Sequence, residues 1–226
     1  MASSQLRTLQ WKYPPHTRSN NQLEAPNPLK LDFLEDLRIF GDAHLLLTHL
    51  YAPNLVTFGH GDPQPGDIRD DGIFGPEARF PSLRHMTLVG SHHTSAEDLR
   101  RLFRNHPLLE RVKFSMSLPS PEDWMGLLAL VETGQEPDSQ RHPRQRFISP
   151  YLRSITINSA DFGIHAQASG IQTLPTMLRT LLRASDGGFS ISISGPTVSP
   201  PVQELEAEFP AKFFITTQPT AQSPGR

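Results

Sequence analysis

The sequence predicts an α/β fold: an irregular solenoid with one short, mostly parallel sheet on the concave side of an arc and helices on the convex side. Three observations predict it. A strand pattern, Leu followed by apolar residues three and five positions later, recurs along the chain. Several copies open with Pro-x-Leu. Short segments with helix start signals lie between the copies.

The strands are taken in order. Leu34-x-x-Leu37-x-Ile39 is the first, and Leu55-x-x-Phe58-x-His60 is a damaged second. Leu83-x-x-Met86-x-Leu88, Leu109-x-x-Val112-x-Phe114 and Leu152-x-x-Ile155-x-Ile157 follow. Ile191-x-Ile193, after Phe189, is a last member. The pattern alone is weak in a chain this rich in leucine. The flanks strengthen it, because Pro53, Pro81, Pro107 and Pro150 each stand two residues ahead of the first leucine. Proline fixes φ there and stops the preceding helix or loop. The first spacings between copies, 21, 28 and 26 residues, suit a stacked strand–helix repeat, and the later two are longer. A single unit cannot bury its own apolar face, so stacking must place the first, fourth and sixth motif positions in one continuous core.

The helices are read from caps and stripes. Asp42 caps a helix through Leu45, Leu46 and Leu50. Thr94 and Glu97 form a capping box ahead of Leu99, Leu102 and Phe103. Ser120-Pro121-Glu122-Asp123 starts a helix carrying Trp124, Leu127, Leu128 and Val131. Pro175 opens another with Met177, Leu178, Leu181 and Leu182, ended by Gly187-Gly188. Residues 59–76, 134–145, 195–201 and the tail from Gln218 are glycine- and proline-rich and are read as loops. The domain division is a flexible arm over 1–26, a repeat domain over 27–217 and a flexible tail over 218–226.

Composition narrows the function. The chain has 22 prolines in 226 residues, about twice the usual ~5%, which argues against long helices and coiled coils. It has no cysteine, so disulfides, thiolate zinc sites and cysteine nucleophiles are excluded. A net charge of -2 and a pI near 6.5 give no footprint for generic nucleic-acid binding. Residues 1–21 lack a secretory apolar core, and no run reaches the ~20 residues that span a bilayer. The expectation is a cytoplasmic or nuclear protein with no membrane or nucleic-acid partner.

The segments LEDLRIFGDAHLLLTHLYAPNLVTF, FPSLRHMTLVGS, DLRRLFRNHPLLERVKFSM and SPYLRSITI resemble the leucine-rich-repeat portion of fungal F-box proteins. The resemblance covers roughly residues 27–195. It implies a protein-recognition scaffold, or the substrate-recognition arm of a ubiquitin ligase that docks on a cullin adaptor. The family's asparagine or cysteine eight residues after the first leucine is replaced by Asp42, Pro63, Ser91, Ser117 and Ala160. No F-box is recognisable in residues 1–26.

No catalytic constellation stands out, so the chain is read as non-enzymatic and without a cofactor. His92-His93, the pair His44 and His49, and the acids Asp62, Asp67, Asp70 and Asp71 all miss metal-ligand spacing. Ser199 and Ser223 precede proline in segments read as flexible and are candidate phosphorylation sites. Trp124 and Phe103 sit at core spacing.

The candidate site is the outward strand face. With motif positions one, four and six inside, strand alternation sends positions three and five out. The candidate partner-binding residues are Arg38, His85, Thr87, Arg111, Lys113, Ser154 and Thr156. Arg84 and Arg153 flank them. Such a basic centre with hydroxyl donors suits an acidic or phosphorylated protein partner. The alternative reading is of solvated strand charges that keep the face wet.

Overall fold

The structure is a computed structural model. It describes residues 6–12, 29–40, 47, 49–61, 79–89, 96–116, 131–133, 145–147, 149–159, 173–185, 188–195, 198 and 200–217. Eight strands form one sheet: β1 (Thr8–Lys12), β3 (Asp36–Phe40), β5 (Thr57–Gly61), β6 (His85–Val89), β7 (Arg111–Met116), β10 (Ser154–Ser159), β11 (Ser190–Gly195) and β12 (Phe213–Thr217). Their order across the sheet is their order in the chain, and every pairing is parallel. Parallel neighbours need long crossovers. These carry α1 (Ala96–Asn105), α2 (Thr173–Ala184) and α3 (Pro200–Glu208), together with a parallel pair β2 (Leu29–Lys30) with β4 (Leu50–Tyr51) and an antiparallel pair β8 (Val131–Thr133) with β9 (Gln145–Phe147).

The repeat register holds residue for residue. Leu37, Phe58, Met86, Val112, Ile155, Ile191 and Phe213 are partners in successive strands. So are Ile39, His60, Leu88, Phe114, Ile157 and Ile193. All of these are buried, as are the leading leucines Leu34, Leu55, Leu83, Leu109 and Leu152. The helices close the same core with Leu99, Leu102 and Phe103 of α1, Met177, Leu178, Leu181 and Leu182 of α2, and Val202 and Leu205 of α3. A stack of Phe58, Phe80 and His106, with ring centroids 6.2 and 6.3 Å apart, continues it between strands.

The Pro-x-Leu phrase turns out to be a β-turn. In five repeats the N–H of the leading leucine donates to the carbonyl three residues earlier: Leu34 to Leu31, Leu55 to Ala52, Leu83 to Phe80, Leu109 to His106 and Leu152 to Ser149. Proline therefore occupies the second position of the turn, where its fixed φ fits and its missing N–H costs nothing. Asp32 holds that place in the first turn. One residue after each leucine, a carbonyl collects two N–H groups of the next strand. Glu35 takes Val56 and Thr57, Val56 takes Arg84 and His85, Arg84 takes Glu110 and Arg111, and Glu110 takes Arg153 and Ser154.

Several expectations need correction. Residues 1–26 were expected to be a flexible arm, but Thr8–Lys12 form β1 and pair with β3. Leu50 and Val131, placed on helices by their spacing, begin β4 and β8. Gly59 belongs to β5, Gln145 to β9 and Gly195 to β11, and Pro200 opens α3, so these loops are shorter than the glycine and proline content suggested. Pro200 is at the first helical position, where proline is favoured rather than disruptive. β12 was not anticipated. Asp42, His92, His93, Thr94, Ser117, Ser120, Trp124, the acids 62–71, Ser199, Ser223 and the tail from Gln218 lie outside the described residues.

The last repeat is fastened differently. Lys212 Nζ donates to the carbonyls of Leu182, at 3.1 Å, and Ser185, at 2.8 Å, capping the C-terminal end of α2. Arg179 and Arg183 of α2 grip Glu208 of α3 at 2.6 and 2.9 Å. Glu206 Oε1 accepts the N–H of Ile215 at 3.1 Å, occupying a donor on the edge strand β12. Among the described residues, no helix is long and apolar enough to cross a membrane.

Candidate functional site

Alternation decides what the second face of the sheet displays. Two rows of partners cross it. One runs Asp36, Thr57, His85, Arg111, Ser154 and Ser190, and the other Arg38, Gly59, Thr87, Lys113, Thr156 and Ser192. None of these side chains is buried, whereas their chain neighbours on the other face are.

Six of the seven candidate residues come together. His85, Arg111 and Ser154 are register partners on β6, β7 and β10, and Thr87, Lys113 and Thr156 are partners on the same strands. The long segment between Phe114 and Ile157 does not split the sheet, since β7 pairs directly with β10 and the β8–β9 pair lies outside the sheet. Arg38 is elsewhere. It lies three strands from Lys113 in the same row, and its guanidinium reaches Asp36 through two contacts of 3.3 Å. Its stem lies over β5, where a Cβ on Gly59 would be 3.5 Å from Arg38 Cγ.

The electrostatics are uneven. Arg111 and Lys113 are exposed, and among the described residues neither has a carboxylate within ion-pair distance. From β5 to β11 the outward positions of the sheet carry no acid at all. The flanking cations are less available than their positions suggest, because Glu110 stands between them. Arg84 Nη1 donates to Glu110 Oε1 at 2.5 Å. That hydrogen bond, joined by the charges of Arg84, Arg153 and His85 against an opposing desolvation, holds the Glu110 carboxyl below its ordinary range. The strand starts thus form a rim of alternating charge, and the cation excess is concentrated on β7.

Two parts of this face escaped sequence reasoning. Ser190, Ser192 and Ser194 of β11 continue the hydroxyl rows, with Ser194 Oγ donating to Asn158 Oδ1 at 2.6 Å. Phe214 of β12, 43% exposed, is the partner of Ser192. The alternation in SISIS carried the first signal, but FFITT lacks the leucine and proline that marked other strands. Among the described residues no cluster of histidine, aspartate or glutamate is arranged to hold a metal. Chemically, the face can donate hydrogen bonds and attract an anion. Comparisons with family models, curated proteins and solved structures return no match to this chain.

Proposed function

We propose that the chain is a non-enzymatic scaffold, an irregular leucine-rich-repeat-like solenoid that recognises a protein partner through the outward strand face. The observation that carries the reading is the pair Arg111 and Lys113, exposed, unmatched by any described carboxylate and ringed by His85, Thr87, Ser154 and Thr156. A solvated face has no need to exclude acids over five strands, and alternating signs serve solubility better. An acid-free row of donors instead complements an acidic or phosphorylated segment, since arginine pairs an oxyanion with two parallel hydrogen bonds.

The test is a double charge reversal, Arg111→Glu with Lys113→Glu, in protein whose melting curve matches wild type. The partners recovered by affinity purification should be lost from the variant. An unchanged partner set would overturn the reading.

A further inference from the structure

The strand register fixes more than a basic centre. Lys113, Thr156, Ser192 and Phe214 are successive partners on β7, β10, β11 and β12. They form one straight track across the sheet. It begins at the unmatched cations and ends on an exposed aromatic ring. Its middle is floored by the small hydroxyl side chains of Thr156 and Ser192, so among the described residues of the track nothing bulky stands between the two ends. Phe214 does no core work that would explain it, because its neighbour Phe213 is the fully buried one. Val89, the other exposed large apolar residue among the described side chains of the sheet strands from β6 to β12, lies beside the cations on β6, where it is the partner of Ser115. From β5 to β12 the outward lysine and arginine side chains among the described residues are confined to β7, and the chain as a whole is slightly acidic. A polyanion such as nucleic acid needs a run of phosphate contacts, whereas this cell accommodates a single anionic group.

We infer that the face selects an extended peptide segment bearing an anionic side chain and an apolar side chain about four residues apart, the first over Arg111 and Lys113 and the second on Phe214. This rests on the recognition role proposed above and specifies its ligand. The spacing follows from two lengths. Strands lie about 4.8 Å apart, so three intervals separate Lys113 from Phe214 by roughly 14 Å, and an extended chain advances about 3.3 Å per residue. Thr156 and Ser192 provide hydroxyls that both donate to and accept from the peptide backbone between the anchors.

The experiment uses the full chain and short fluorescein-labelled peptides of glycine and serine. Each contains one phosphoserine and one leucine, set at intervals below, at and above about four residues, in both orders, and affinity is read by anisotropy. The four-residue interval should bind tightest. Phe214→Ala should weaken that peptide by about tenfold, the scale of a truncated anchor, and leave a phosphoserine peptide without leucine unchanged. Ser192→Trp, which fills the track beside Phe214 while leaving Arg111, Lys113 and Phe214 themselves unchanged, should erase the interval preference. Replacing phosphoserine by glutamate should weaken binding and keep the preference. Binding that depends on Arg111 and Lys113 but ignores interval and Phe214 would overturn the bipartite ligand and leave the recognition face standing. Absence of binding to every peptide would overturn the inference as well.

Discussion

The ring of Phe40 lies where a side chain on Gly61 would have to go: a Cβ at Gly61 would sit 2.8 Å from Phe40 Cδ1 and 3.0 Å from Cε1. The two residues are register partners on β3 and β5. Lys12 Nζ stands 5.6 Å from the centre of the same ring, so β1 and β3 are joined through Phe40 as well as through the ladder. Gly61→Ala should therefore push the ring off β5 and destabilise the fold by about 1–3 kcal/mol. Combining it with Phe40→Ala should cost less than the sum of the two single changes, because the clash disappears with the ring. Urea denaturation of the four proteins in the cycle measures this, and strict additivity would show that the ring does not fill the glycine's space.

Asp32 occupies the turn position that proline holds in the next four repeats. Asp32→Pro should raise stability by about 0.4–1 kcal/mol by restricting the unfolded chain. Pro107→Ala should lower it by a similar amount. A shift of the denaturation midpoint in the opposite sense for either variant would show that the turns are not equivalent.

Glu208 and Glu110 predict an acid-side loss of stability. The Glu208 carboxyl is held below its ordinary value of 4.5 by the hydrogen bond from Arg179, with Arg183 adding. A carboxylate with a depressed folded-state pKa stabilises the fold fully above its unfolded value, and the contribution drains away as pH falls through the folded one. The difference in stability between wild type and Glu208→Gln should be constant at neutral pH and shrink below about 4.5. Glu110→Gln should behave alike, given the Arg84 bond. A difference that grows on acidification would reverse the assignment.

Leu109 is fully buried at the start of the fourth repeat, and its N–H closes the turn from His106. Leu109→Ala should cost about 2–5 kcal/mol. Against a total of ~5–15 kcal/mol for a typical domain, that is a large fraction, and an unchanged midpoint in chemical denaturation would refute it.

Four strands, β5, β6, β7 and β10, were legible because apolar alternation and a turn proline agree, and β3 and β11 were legible from alternation alone. The two outermost strands were lost. β1 fits the spacing, Leu6-x-x-Leu9-x-Trp11, but no Pro-x-Leu phrase marks its entry, and Trp11, opposite Ile39, is 43% exposed. Before β12 a turn with proline does exist, from Phe209 to Lys212, but it closes one residue before its strand where the others close two residues before, and the residue closing it is a lysine committed to capping α2. The candidate face was legible in outline from alternation alone. Its opposing acid, Glu110, went unweighed because a motif centred on leucine says nothing about which neighbours can reach each other across strands. The same holds for Phe214, whose meaning comes from its partner Ser192 rather than from its own segment.

The agreement between strand order and chain order has a consequence for synthesis. Within the eight-stranded sheet, each strand after β1 that leaves the ribosome finds the edge it will dock on already exposed, because that edge belongs to the sheet strand made just before it. In that sheet no strand after β1 waits for its first partner to be translated. Its unpaired apolar surface at any moment is confined to the newest edge, which limits the window for aggregation that non-local sheets suffer. Late termination would trim strands from one side and leave the remaining pairings intact.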